Sequence, residues 1–152
     1  MDGAALSEAL GIDYPALLEA DLTAIQVSLD ALAHDGFDDP AVWKALHARL
    51  HDVKGQGGSF DYVLVSDIAQ QACQIVRTIN RDFDLRQRSP SALLTVLGQQ
   101  TAALRLIGRL RLTGDGGSRG AQLLNSLHAC AAELRQVLGI EAAPGGEGRI
   151  KT

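Results

Sequence analysis

Apolar residues in this chain recur every three or four positions, and nowhere do they alternate for a useful length. Leu18, Leu22, Ile25, Leu29 and Leu32 set the pattern. That spacing stays on one face of a helix with 3.6 residues per turn but would scatter over both faces of a strand. The chain is therefore restricted to helices that bury their stripes against other helices.

Glycine and proline punctuate the pattern. A first helix is expected from about Pro15 to His34, with Pro15 in its first turn and Asp35-Gly36 as its stop. Phe37-Asp38-Asp39 is a short connection, Asp39 a candidate cap, and Pro40 opens a second helix that ends near Asp61. A third, Val63 to Asn80, carries Leu64, Ile68, Ala72, Ile75 and Ile79, with Val65 and Val76 alongside. Residues 81–89 are charged and read as an exposed loop. Ser89 and Pro90 start a fourth helix, with Leu93, Leu97, Thr101, Leu104 and Leu110 on one side and Leu94 and Ile107 adjacent. Gly114-Asp115-Gly116-Gly117 breaks the chain, and Ser118 caps a fifth helix. There Leu123, Leu127, Cys130, Leu134 and Val137 point inward, up to Gly139.

Short connections favour antiparallel neighbours. The expected fold is all-α: an antiparallel up-and-down four-helix bundle over about residues 15–113, with an additional C-terminal helix on one side. Residues 1–13 read as a flexible leader, 14–139 as one helical domain and 140–152 as a disordered tail. At 152 residues the domain buries enough surface to need no metal or disulfide. Cys73 and Cys130 fall within helical stripes and read as buried small apolar residues of a reducing compartment. A net charge of −4 and an aromatic content of 4% argue against nucleic acid as the partner. No apolar run is long enough for a membrane span, and no signal segment is evident, so a cytoplasmic protein is expected. The stripes can satisfy one another, which favours a monomer.

The second helix, about residues 40–61, is unusual. Gly55, Gly57 and Gly58 lie close together on it, and each costs roughly 0.8–1 kcal/mol against alanine in a helix. At about 100° per residue, Lys44 and Gly58 fall within about 20° of His51, His47 and Gly55 within about 40°, and Lys54 at about 60°. Val42, Trp43, Leu46, Leu50, Val53 and Phe60 occupy the opposite arc. His51 thus points away from the core, on a strip of cations, imidazole and glycine. Gly55 and Gly58 clear ground in front of the ring, while Gly57 faces inward and would admit a neighbouring helix. An imidazole in water offers a nitrogen lone pair near neutral pH, and Lys54 could reach an anion held on it. These features point to a phosphoryl group and a partner protein.

The run His51-x-x-Lys54-Gly55-x-Gly57-Gly58-Ser59-Phe60 resembles the signature of histidine-containing phosphotransfer (HPt) domains. The five-helix layout is similar to the N-terminal phosphotransfer domain of chemotaxis histidine kinases, over roughly residues 14–138. Three positions depart from that pattern. Val53 replaces a Leu, Asp61 stands where a Gly usually follows the Phe, and Cys73 takes the place of a Glu that hydrogen-bonds the phosphorylatable histidine. The resemblance implies a phosphocarrier in a bacterial two-component phosphorelay rather than an enzyme with its own kinase domain. His51 would accept a phosphoryl group from a receiver-domain aspartate or a partner histidine kinase and pass it to a receiver aspartate. Lys54 would stabilise the phosphoryl charge. Lys44, His47, Gly55, Gly58, Gln70 and Gln71 would form the docking surface, with one of the two glutamines reaching the His51 ring. No cofactor of its own is implied; magnesium would sit on the receiver. The His47–His51 spacing suits a metal, but no Glu or Cys completes a set, so no metal site is expected. Two other roles fit the same strip: a non-catalytic module docking on a receiver or kinase, and the excised phosphotransfer domain of a larger kinase.

Overall fold

The computed structural model describes residues 10–35, 39–81 and 90–138. Residues 1–9 of the expected leader, the connection at 36–38 with Gly36, the loop at 82–89 with Ser89, the side chain of Val137, and the stop at Gly139 with the tail beyond lie outside what is described. Five helices follow one another: α1 (Tyr14–Asp35), α2 (Pro40–Ser59), α3 (Val63–Arg81), α4 (Pro90–Leu110) and α5 (Gly117–Leu138). No strand occurs among the described residues.

α2 packs most extensively on α3, α1 packs on both α2 and α4, and α3 also meets α4. α5 lies against α4. The expected stripes form the shared core. Leu18, Leu22, Ile25, Leu29 and Leu32 of α1 are buried, as are Trp43, Leu46, Leu50 and Val53 of α2. From α3 come Leu64, Val65, Ile68, Ala72, Ile75, Val76 and Ile79, and from α4 Leu93, Leu97, Thr101, Leu104 and Ile107. Fully burying each large side chain contributes about 1.5–3 kcal/mol.

Two stripe assignments fail. Leu110 is 46% exposed. It stands six residues after Leu104, about 240° away around the helix, and Gly108 occupies the inward place instead, with Leu18 against it. Cys130 is only half-buried, because the inward line of α5 runs through Leu127, Ala131 and Leu134. The start of α5 differs too: Ser118 is already inside the helix, and the Asp115 carboxylate accepts from the Gly117 N–H at 2.9 Å.

The start of α2 is as expected. Asp39 Oδ1 accepts from the Ala41 N–H at 3.0 Å, with Pro40 at the first helical position. Its end is a Schellman closure. The Tyr62 N–H reaches back to the Gly57 carbonyl (2.7 Å) and the Asp61 N–H to that of Gly58 (3.3 Å). Asp61 sits at the left-handed position, φ +67°, where glycine is least strained. α4 ends in the same way: the Leu112 N–H bonds the Ile107 carbonyl and the Arg111 N–H that of Gly108, with Arg111 at φ +53°.

These two closures are stitched to each other. The Gly114 N–H donates to the Asp61 carbonyl (2.7 Å), and the Leu64 N–H, unsatisfied by its own helix, donates to Gly114 (3.0 Å). Tyr14, at the start of α1, stacks on Phe60 with centroids 5.3 Å apart and leans on Tyr62 at 4.9 Å. Side-chain pairs add links: Arg49 to Asp21 at 3.3 Å, Arg105 to Glu19 at 3.0 Å and Arg111 to Asp13 at 3.5 Å. All three are surface pairs of modest worth, but they mark which helix edges meet.

Candidate functional site

The site is built on α2 and borders the α2–α3 seam. His51 is exposed, and so are Lys44, Gly55 and Gly58, while His47 and Lys54 are half-buried. Trp43, Leu46, Leu50 and Val53 hold the far side of the helix in the core, so the helix cannot roll to hide His51.

The glycines divide as the wheel implied. A Cβ on Gly57 would stand 3.0 Å from Val65 Cγ1 and 3.1 Å from both Ser66 Oγ and the Tyr62 carbonyl oxygen. Gly57 therefore sets how closely α3 approaches α2. A Cβ on Gly55 would meet nothing within 4 Å, and one on Gly58 only Ser66 Oγ at 3.4 Å. In front of His51 the helix is bare backbone. Ser66 Oγ also donates to the Lys54 carbonyl oxygen across the seam, tying the lysine's backbone to α3.

On α3 the residues Ser66, Gln70, Cys73 and Arg77 follow at spacings of four, three and four, which puts them along one face. That face is the one turned to α2. Ser66 bonds Lys54, while Cys73 feels the charges of Lys54 and Arg77. Burial pushes the Cys73 thiol up from its ordinary range, and those two cations only partly oppose it. Cys73 is thus a protonated, buried thiol beneath the site, with neither the charge nor the reach of a carboxylate.

The two glutamines part company. Gln71 accepts from Gln100 Nε2 at 3.2 Å, so it belongs to the α3–α4 seam rather than to the strip around His51. Gln70 is half-buried on the α2-facing line, and its Oε1 has no hydrogen-bond partner. Of the pair, Gln70 is the one on the side of His51.

The His47 and His51 rings lie with centroids 6.3 Å apart and planes inclined by 32°. His47 Nε2 is buried without a partner. Burial lowers the affinity of His47 for a proton, and the charges of Arg77 and His51 lower it further. No group of three or more potential metal-ligating side chains occurs among the described residues.

No protein-family model, curated protein or solved structure matches this chain. The site has to be read from its own residues.

Arg77 was not singled out in the sequence. It stands at the end of a four-residue line that becomes visible only when α3 is laid against α2, although the spacing from Ser66 was available to be counted. Tyr14 was missed for a similar reason. It precedes the first leucine of its stripe by four residues and is 1% exposed, and its stacking partner Phe60 is far away in sequence. Among the described residues no helix is long and apolar enough to cross a membrane.

Proposed function

We propose that this chain is a phosphocarrier of the histidine phosphotransfer type, with His51 as the acceptor. The observation that carries the reading is the setting of His51: an exposed imidazole beside a half-buried lysine, with the open backbone of Gly55 beyond it. A second protein can bring a phosphoryl group to such a ring without meeting side chains.

The fold is read as an antiparallel up-and-down bundle of α1–α4 with α5 alongside α4. Residues at the start of α1 meet the ends of α2 and α4, through Tyr14 with Phe60 and Asp13 with Arg111. The start of α3 meets the residues after α4 through Leu64 and Gly114. These meetings support the up-and-down reading, in which successive helices run in opposite directions.

In the proposed step, a ring nitrogen of His51 attacks phosphorus in line as the bond to a receiver aspartate, or to a kinase phosphohistidine, breaks. The leaving group departs with the bonding pair, and His51 releases its ring N–H proton to solvent. Reversal onto a receiver aspartate returns the group. Lys54 neutralises part of the phosphoryl charge, Gly55 and Gly58 admit the receiver, and Gln70, on the α2-facing line of α3, is the glutamine assigned to the docking surface. Magnesium and most of the charge stabilisation belong to the receiver. The test is phosphotransfer from a set of phosphorylated receiver domains to the wild type and to His51→Gln. Acid-labile label on the wild type alone supports the reading. Binding to receivers that survives in His51→Gln, with no label on the wild type, would replace it with a docking module.

A further inference from the structure

His47 sits where a charge arriving on His51 must be felt. The ring centroids are 6.3 Å apart, the His47 ring is half-buried, and its Nε2 is enclosed with nothing to bond. The titratable and charged groups around it come from two helices. On α2 His51 acts on it directly, and Lys44 and Lys54 share its face by their spacing along the helix. α3 contributes Arg77, with Cys73 beside it. α1 packs on α2 along a different edge, where Arg49 pairs with Asp21 and Asp52 stands nearby. Among the described residues, the charges that shift His47 are those of Arg77 and His51.

This environment is built for a neutral ring. Burial penalises an imidazolium, and the two charges that act on it most, Arg77 and protonated His51, are both positive. A phosphoryl group on His51 reverses the local sign, since it brings about −1.5 to −2 charges at neutral pH. We propose that His47 takes up a proton when His51 is phosphorylated, becoming a second cation beside the phosphoryl group. This inference rests on the phosphocarrier reading. The two events balance separately. The N–P bond forms as the donor's bond to phosphorus breaks and His51 loses its N–H proton; one solvent proton then adds to the free nitrogen of His47. Phosphorylation is thereby coupled to proton uptake at His47. Lys54 supplies a fixed charge, whereas His47 supplies one only when the phosphoryl group is present. His47 is a positioning and charge-balancing residue, not an acceptor.

The experiment uses phosphoramidate as a small phosphoryl donor, so no partner protein is needed. Its P–N bond breaks as the His51 N–P bond forms, and the ammonia released carries off the proton that His51 gives up. Histidine-detected NMR then follows the four imidazoles against pH with and without phosphate on His51, and the His47 signal is assigned by its loss in His47→Gln. The expected result is a His47 midpoint higher by about one pH unit or more in the phosphorylated protein, with His34 and His128 unmoved. In parallel, the rate of phosphohistidine hydrolysis against pH should show an inflection in the wild type that His47→Gln lacks. A purely structural role for His47 would not produce that inflection. A His47 midpoint that stays put while His51 carries phosphate overturns the coupling alone. Absence of phosphate on His51 overturns the coupling together with the phosphocarrier reading beneath it.

Discussion

Gly55 and Gly57 stand two residues apart on one helix and serve opposite purposes. Gly57 is buried, and α3 lies so close that even a methyl group there would press on Val65, Ser66 and the Tyr62 carbonyl. Gly55 is exposed, with nothing within reach of a methyl group. Each incurs the same conformational penalty of roughly 0.8–1 kcal/mol. At Gly57 the penalty is returned as packing. At Gly55 no packing contact within the described residues offsets it. That contrast is what supports the proposal that the open strip beside His51 receives a partner.

Substitutions can break the contrast. Gly57→Val should be the most damaging. Overpacking costs about 1–3 kcal/mol and a branched side chain gains little helix propensity, so urea denaturation should show a loss of at least about 2 kcal/mol. An unchanged midpoint would mean that α3 does not need Gly57 to approach. Gly55→Ala should go the other way, gaining roughly 0.8–1 kcal/mol. If that variant is destabilised instead, the helix there is not the open one described. Asp61→Gly should gain up to about 1 kcal/mol by relieving a left-handed backbone, provided the Schellman closure forms as described; a loss would show that the Asp61 side chain has a stabilising role.

The smallest effect is a pH dependence. The proton affinity of His47 is lower in the folded state than in the unfolded one, so the unfolded chain binds more protons in the window below the ordinary imidazole value of about 6.5. Stability from this group is full above that pH and declines as pH falls through the window. His47→Gln should flatten the acid side of the thermal-midpoint profile. A profile identical to that of the wild type would show that the ring is not desolvated.

Much of this was legible before any coordinates. The stripes of α1, α2 and α3 lie inside as the spacing required, because a long run of regular apolar residues leaves one face to bury. The division of labour among the three glycines also followed from the wheel. Legibility faded where the stripe weakened. Extending the stripe places Leu110 and Cys130 inward, past the point where a small residue, Gly108 or Ala131, takes that place. The α5 start lies two residues earlier than a Ser118 cap implies, because Asp115, three positions before that serine, does the capping work. Arg77, and the parting of Gln70 from Gln71, needed the register between helices, which no single helix encodes. Asp61 occupies a left-handed position, φ +67°, which glycine adopts with the least strain and which the spacing along one helix does not reveal.

The most direct measurement is to locate the phosphate. Wild-type protein labelled by a phosphorylated receiver would be cleaved under alkaline conditions, which preserve phosphohistidine, and the fragments read by mass. The expected result is one phosphoryl group, on the fragment bearing His51, and its return to the receiver on further incubation. Phosphate on any other residue, or equal labelling of His51→Gln, would contradict it.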